Sequence, residues 1–354
     1  LKVAIITDTH FGARNDNSVF STYFNKFYDE VFFPYIDEHE IKTVLHLGDL
    51  IDRRKYINFL TLHNSKKFIR NLHDRGITTH MILGNHDTYY KNTNDGNGVN
   101  EIFSDSTFDL FYIYQNDPVE LELGSTKILM VPWITADNSI ACTKAIADTS
   151  AQILMGHLEI QGFEMMKGQP CHEGFDKKLF KKFDSVYSGH FHHPSKYDNI
   201  EYLGAPYEMN WTDFEGKRGF HILDTETREL TFIPNPFRMF HKITYSDKDL
   251  TVEDIDNLDT SLLTSTYIKV IIKDKENPYI FDLFVDKLQS AGAADIKIVE
   301  DHMNMDDIDE DDLIDEAQDT HTILSQYIDG IETKLNKVKI KTAVHELYNE
   351  AINL

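Results

Sequence analysis

Gly84-Asn85-His86-Asp87 follows directly on the apolar run Met81-Ile82-Leu83 and sets a neutral oxygen donor, an imidazole and a carboxylate behind a glycine turn. Asn and Asp by themselves are ordinary turn residues, because they bond their own backbone. The same arrangement, an apolar run closed by metal-type donors, occurs four more times in order. Asp8-Thr9-His10 follows residues 3–6, Gly48-Asp49 follows 43–47, Gly156-His157 follows 152–155, and Gly189-His190-Phe191-His192 follows 185–188. The donors Asp8, His10, Asp49, Asn85, His157, His190 and His192 are carboxylates, imidazoles and one amide, with no thiolate. Such a set suits octahedral Mn²⁺ or Fe²⁺, with Mg²⁺ as a further candidate, over structural zinc. Seven donors are too many for one ion and suit two ions sharing a carboxylate, the apparatus of displacement at phosphorus.

The elements that must position these residues are legible around them. Residues 3–6, 43–47 and 78–83 read as strands. Phe20, Tyr23, Phe24, Phe27, Val31 and Phe32 have helical spacing, and a second helix is predicted over 59–74 with Gly76 as its stop. Strand, helix, strand, helix, strand predicts a parallel sheet, with sites in the crevice beyond the strands' carboxyl ends. Further strands are predicted at 127–131, 152–155 and 185–188, with a helix near 138–147. Residues 201–203, 219–223 and 230–233 are expected to finish a second sheet as antiparallel strands. The fold class expected is α/β: a two-layer β-sandwich flanked by helices over 1–236, then a small α+β capping domain over 237–299. An acidic linker, 300–319, and a C-terminal helix pair, 320–354, complete the expected organisation.

Composition bounds the partners. The net charge of −24 opposes tight non-specific binding of DNA by the chain alone, but close to half of it sits in eleven acidic residues between 300 and 319. Ile323, Leu324, Tyr327, Ile331 and Leu335, then Val344, Leu347, Tyr348 and Ile352, form two apolar stripes beyond that run, suited to a partner's groove. Cys142 and Cys171 form no metal-type pair, which predicts reduced thiols in a cytoplasmic protein. No apolar run reaches the ~20 residues of a membrane span, and the first residues read as a strand rather than a signal peptide. Arg53-Arg54-Lys55 follows the second motif and is expected to contact DNA phosphates; Tyr89-Tyr90-Lys91 either stacks on a nucleotide or packs.

In this order, Asp-x-His, Gly-Asp, Gly-Asn-His-Asp, a lone His and Gly-His-x-His resemble the calcineurin-like metallophosphoesterase superfamily over residues 1–236. Gly48-Asp49-Leu50-Ile51-Asp52, Val131-Pro132-Trp133 and Tyr202-Leu203-Gly204-Ala205-Pro206, with Gly219-Phe220 behind, are similar to the SbcD / meiotic-recombination-eleven type of repair nuclease. The short chain and tether resemble the T-even phage recombination nucleases. The resemblance implies one ion on Asp8, His10 and His192, a second on Asn85, His157 and His190, and Asp49 bridging both. It implies His86 as general acid toward the leaving 3′ oxygen, with Asp52 as its partner. It further implies a Mn²⁺-dependent DNA nuclease, 3′→5′ on duplex ends and endonucleolytic on single strands, in the host cytoplasm if phage-encoded. The implied partner is an SbcC-type, SMC-like ABC ATPase bound through the C-terminal helices, with a homodimer inside a heterotetramer. Two rival readings remain at this point: a phosphatase or small-molecule phosphodiesterase on the same core, and a non-catalytic scaffold.

Overall fold

A strand covered on both faces reads as an unbroken apolar run, and the runs of this chain are covered in that way. A computed structural model describes residues 1–104, 106–166 and 169–300, with single helical positions at 328, 337, 340, 341 and 344. The expected linker and helix pair therefore lie outside the described residues, apart from Glu300 and those five positions.

The strands are β1 (Lys2–Ile6), β2 (Thr43–His46), β3 (Thr78–Ile82), β4 (Phe111–Tyr114), β5 (Val119–Leu123), β6 (Thr126–Val131) and β7 (Ile153–His157). A short hairpin, β8 (Glu164–Met166) and β9 (Gln169–Pro170), precedes β10 (Ser185–Gly189), β11 (Ser195–Tyr197), β12 (Ile200–Tyr202), β13 (Gly219–Asp224) and β14 (Leu230–Pro234). One six-stranded sheet has the order β14-β13-β1-β2-β3-β4 and the other β11-β12-β10-β7-β6-β5. From β1 to β4 the strands are parallel, as are β6, β7, β10 and β12.

Period-two alternation divides each strand between two cores. Val3, Ile5, Leu45 and Ile82 meet Ile128, Met130, Ile153 and Met155 between the sheets. Ala4, Ile6, Val44 and Met81 face the helices Ser18–Phe27 and Phe59–Asp74 on the outside. Leu129, Leu154 and Val186 face Cys142 and Ile146 of helix Ser139–Asp148. Each such buried Val, Leu, Ile or Met side chain contributes roughly 1.5–3 kcal/mol.

Helix starts follow local chemistry. Asn17 accepts from Val19 N at 2.8 Å and Asn58 from Thr61 N at 2.9 Å, each capping the helix that follows. After Ser18–Phe27 the chain widens into a π turn, Tyr28–Phe32, just before Pro34, whose ring removes the backbone donor that an α-helical register would need. That turn places Tyr28 beside Phe11 and within 3.1 Å of the Tyr207 hydroxyl.

Two expectations are corrected. β13 and β14 do not finish the second sheet; β13 pairs antiparallel with β1 and closes the first. The reason is the free edge of β1 opposite β2, which would otherwise expose unpaired backbone groups. β12, corresponding to 201–203, pairs parallel with β10 and is antiparallel only to the edge strand β11.

After Pro236 the chain forms a parallel three-stranded sheet of β15 (Phe240–Ser246), β16 (Tyr267–Asp274) and β17 (Asp295–Glu300), with helix Pro278–Ser290 packed on it through Phe281, Phe284 and Leu288. Glu208, fully buried, accepts from Met239 N at 2.7 Å and Phe240 N at 3.1 Å and so ties this sheet to the sandwich. Among the described residues no helix is long and apolar enough to cross a membrane.

Candidate metal centre

Asp8 and His10 follow β1, Asp49 follows β2, Asn85 and His86 follow β3, His157 ends β7 and His190 follows β10. All are carried to the carboxyl ends of parallel strands. The turns there are sharp: φ is 52° at Asp8, 40° at His10, 54° at Asp49 and 89° at His190. Such conformations cost on the order of 1–3 kcal/mol each and persist where the surroundings over-determine them. Asp87 does much of the determining. Its carboxylate accepts from Asp49 N (2.8 Å), Leu50 N (2.9 Å), Ile51 N (3.2 Å) and Gly84 N (2.8 Å), fastening the second motif to the third. The loops then lie so close that a Cβ on Gly84 would stand 2.1 Å from Asp49 Oδ1, and one on Gly48 2.6 Å from His157 Nδ1.

The donor atoms converge in two groups. Those of Asp8, His10 and His192 lie within 4.8 Å of one another, as do those of Asp49, His157 and His190. His10 Nε2 is 3.0 Å from His192 Nε2, and each is 4.0 Å from Asp8 Oδ1. Asn85 Oδ1 lies 2.9 Å from both His157 Nε2 and His190 Nδ1. Between the groups stands one oxygen, Asp49 Oδ2, 3.6 Å from His10 Nε2 and 3.3 Å from His157 Nε2. Its other oxygen, Oδ1, accepts from His86 N at 2.8 Å.

The calcineurin-like phosphoesterase family model matches residues 1–194. The chain belongs to that family. It is similar over 320 residues, at 29% identity and 90% of both chains, to exonuclease subunit 1 of Enterobacteria phage T4. It is 30% identical over 124 residues, about a third of each chain, to the SbcD component of the nuclease SbcCD of Staphylococcus epidermidis. An archaeal phosphodiesterase structure is similar at a TM-score of 0.31 and 15% identity, over 66% of this chain and all of that one.

As a phosphoesterase the chain is a hydrolytic enzyme, and the chemistry of its donor set fits divalent cations. Burial alone would lower the His10 imidazole, yet the carboxylates of Asp52, Asp49 and Asp8 more than reverse this and push it up to about 10. Burial likewise lowers His157, and Asp49 chiefly raises it to about 9. His190, buried and beside His157, is held well below its usual value. Burial raises Asp49, but the surrounding imidazoles outweigh it and hold the carboxyl well below its usual range. Carboxylates that draw protons onto buried imidazoles stand where a cation takes the protons' place, the ligating rings then being neutral. The rings are already aimed: His157 Nδ1 faces the Leu47 carbonyl at 2.8 Å, leaving Nε2 toward the site, and His10 Nδ1 faces Asp52 Oδ1 at 3.3 Å.

His86 differs in what it binds. Its Nδ1 donates to the Asp52 backbone carbonyl at 2.6 Å, which leaves Nε2 free, and its ring meets His10 edge-on at 4.8 Å. Its ligand-type atom also falls within 4.8 Å of those of His10 and Asp49, so geometry alone allows it a third grouping. Asp52 thus touches His86 through its backbone and His10 through its side chain. Arg53, Arg54 and Lys55 occupy the loop from Asp52 toward the helix at Phe59; Arg53 packs over Tyr56 at 4.8 Å and Lys55 is exposed. Tyr89 and Tyr90 are exposed and contact each other at 4.7 Å.

Sequence reasoning assigned no role to several residues found here. Trp133 lies 5.1 Å from the His190 ring and 5.9 Å from His157, its carbonyl held by Asn94 and Asn138. His46 is buried with Nε2 3.1 Å from Thr9 Oγ1, directly beneath the first motif. Tyr207 donates to the Thr9 carbonyl, and Arg218 to the His192 carbonyl. Of these, His46 carried a signal as an ionisable side chain just before Gly48-Asp49, and Trp133 only as part of Val131-Pro132-Trp133.

Proposed function

We propose that the protein is a dinuclear metal-dependent DNA nuclease, using Mn²⁺ in preference to Mg²⁺ or Fe²⁺. The observation that carries this reading is the similarity to the T4 exonuclease subunit along 90% of both chains, in a chain whose Asp8, His10 and His192, and whose Asp49, His157 and His190, bring their donor atoms together. One ion would be held by Asp8, His10 and His192, the other by Asn85, His157 and His190, with Asp49 serving both. Bound there, the ions would activate a water and neutralise the phosphate oxygens.

The protein's own groups supply the rest. His86 delivers a proton from Nε2 to the leaving 3′ oxygen, with the Asp52 carbonyl holding the Nδ1 proton and hence the ring's orientation. Asp52, through its carboxylate, keeps His10 turned toward the ion. Arg53, Arg54 and Lys55 bind DNA phosphates beside the site. The activities are 3′→5′ removal from duplex ends and endonucleolytic cutting of single strands, in the cytoplasm. Residues 320–354 would dock on an SMC-like ABC ATPase of the SbcC type, within a heterotetramer built on a homodimer of this chain. The strong acidity of the chain supports a need for that partner's DNA affinity.

Hydrolysis of linear duplex DNA and of a small phosphomonoester, side by side with Mn²⁺, tests the reading. Nucleotide release from the duplex, increased by the ATPase, is expected. Monoester turnover without DNA cleavage, with the partner present, would replace it by a phosphatase.

A further inference from the structure

Arg218 is among the largest fully buried side chains of the protein, and its ion pair with Asp213 is almost wholly shielded from water, at 0% and 1% side-chain exposure. A buried pair of this kind is a poor source of stability, because desolvation offsets most of the attraction. Its geometry points to another use. Asp213 Oδ2 accepts from Met209 N at 2.7 Å and Asn210 N at 3.1 Å, which fixes the carboxylate in its turn. Oδ1 accepts from Arg218 Nη2 at 2.7 Å, which fixes the guanidinium. The remaining arm, Nη1, donates to the backbone carbonyl of His192, which also accepts from Ala205 N at 3.1 Å. The planar fork therefore joins a rigid anchor to one ligand residue.

The same stretch of chain supports the opposite side of that ligand group, since the Tyr207 hydroxyl donates to the carbonyl of Thr9, between Asp8 and His10. The other group is braced elsewhere, His157 by the Leu47 carbonyl and Asn85 by the loop that Asp87 fastens.

We propose that Arg218, oriented by Asp213, is a positioning residue for the Asp8, His10 and His192 end of the metal centre, acting through the His192 carbonyl. This rests on the two-ion reading above. It makes the two ion positions separable by a change that touches no ligand.

Titration calorimetry of the full chain with Mn²⁺ tests it, on Arg218→Lys and on the double variant Arg218→Met with Asp213→Asn. The double variant removes both buried charges together while keeping an oxygen acceptor for Met209 N and Asn210 N. The lysine keeps the charge against Asp213 but replaces the rigid fork that joins Asp213 to the His192 carbonyl by a single point of donation on a flexible stem, so it decides the matter if the double variant melts below the assay temperature. The wild type should take up two ions per chain. In the variants one event should keep its affinity and the other weaken about 10- to 100-fold, and the weakened event should be the one that His192→Ala abolishes and Asn85→Ala spares. Two unchanged events, two equally weakened events, or weakening of the event that Asn85→Ala abolishes would overturn the role of Arg218. A wild type that binds fewer than two ions would instead overturn the two-ion reading.

Discussion

Asp87 Oδ2 accepts the backbone amide of Asp49 at 2.8 Å, so the carboxylate that ends the third motif fixes the residue that ends the second. The same side chain takes three further amides, from Gly84, Leu50 and Ile51. Burial and the neighbouring Asp49 push its carboxyl up, to about 7, against the pull of those donors. Asp87→Asn replaces one acceptor oxygen by an amide that must face backbone N–H groups. We expect a loss of about 2–3 kcal/mol in urea unfolding of the metal-free protein, and an unchanged midpoint would show that the fastening is not needed for the fold.

The basic run beside the site predicts a salt effect. If Arg53, Arg54 and Lys55 each neutralise a phosphate, replacing all three by Ala flattens the slope of log binding against log salt by up to about 0.9 per residue on duplex DNA. Fluorescence anisotropy with a labelled duplex reads the slope, and an unaltered one removes these residues from the DNA interface.

His221 predicts an acid-sensitive fold. It is buried in β13 against Phe232, and burial lowers its imidazole to about 4. Below the unfolded value of 6.5 the unfolded chain takes up a proton that the folded one refuses until about pH 4, so stability falls as pH drops through that window. The loss approaches about 3 kcal/mol at most. His221→Leu should narrow the difference between unfolding midpoints at pH 7 and pH 4.5, and an equal difference in both proteins would contradict the assignment.

On the proposed function, deleting residues 320–354 should abolish co-purification with an SbcC-type ATPase while leaving Mn²⁺-supported hydrolysis by the remaining chain intact. A truncated chain that still co-purifies would place the docking surface elsewhere.

What the sequence reveals of this site depends on how each residue is supported. The seven candidate donors are legible because each ends or follows a strand that writes itself as an apolar run closed by a polar turn. The helices at 18–27 and 59–74 show through their spacing for the same reason. The sheet to which β13 belongs is not legible, since its alternation fits either layer and only the free edge of β1 decides it. Arg218 and Asp213 are hidden in Asp213-Phe214-Glu215-Gly216-Lys217-Arg218, a stretch with the composition of an exposed loop. Nothing local tells that two of its charges are buried against each other. Asp52 is visible as a residue, but that its carbonyl and its carboxylate serve different histidines follows only from the turn it occupies.

A two-ion site in which His86 gives a proton and binds no metal is tested most directly by the variant His86→Ser. Its cleavage of linear duplex DNA would be measured together with Mn²⁺ stoichiometry on the same preparation. Two ions should remain bound while cleavage falls about 10²- to 10⁴-fold, the usual worth of a positioned acid. An ion lost together with the activity would make His86 a ligand, as its distance to His10 and Asp49 permits. Undiminished cleavage would leave the leaving oxygen's proton without a source in this chain.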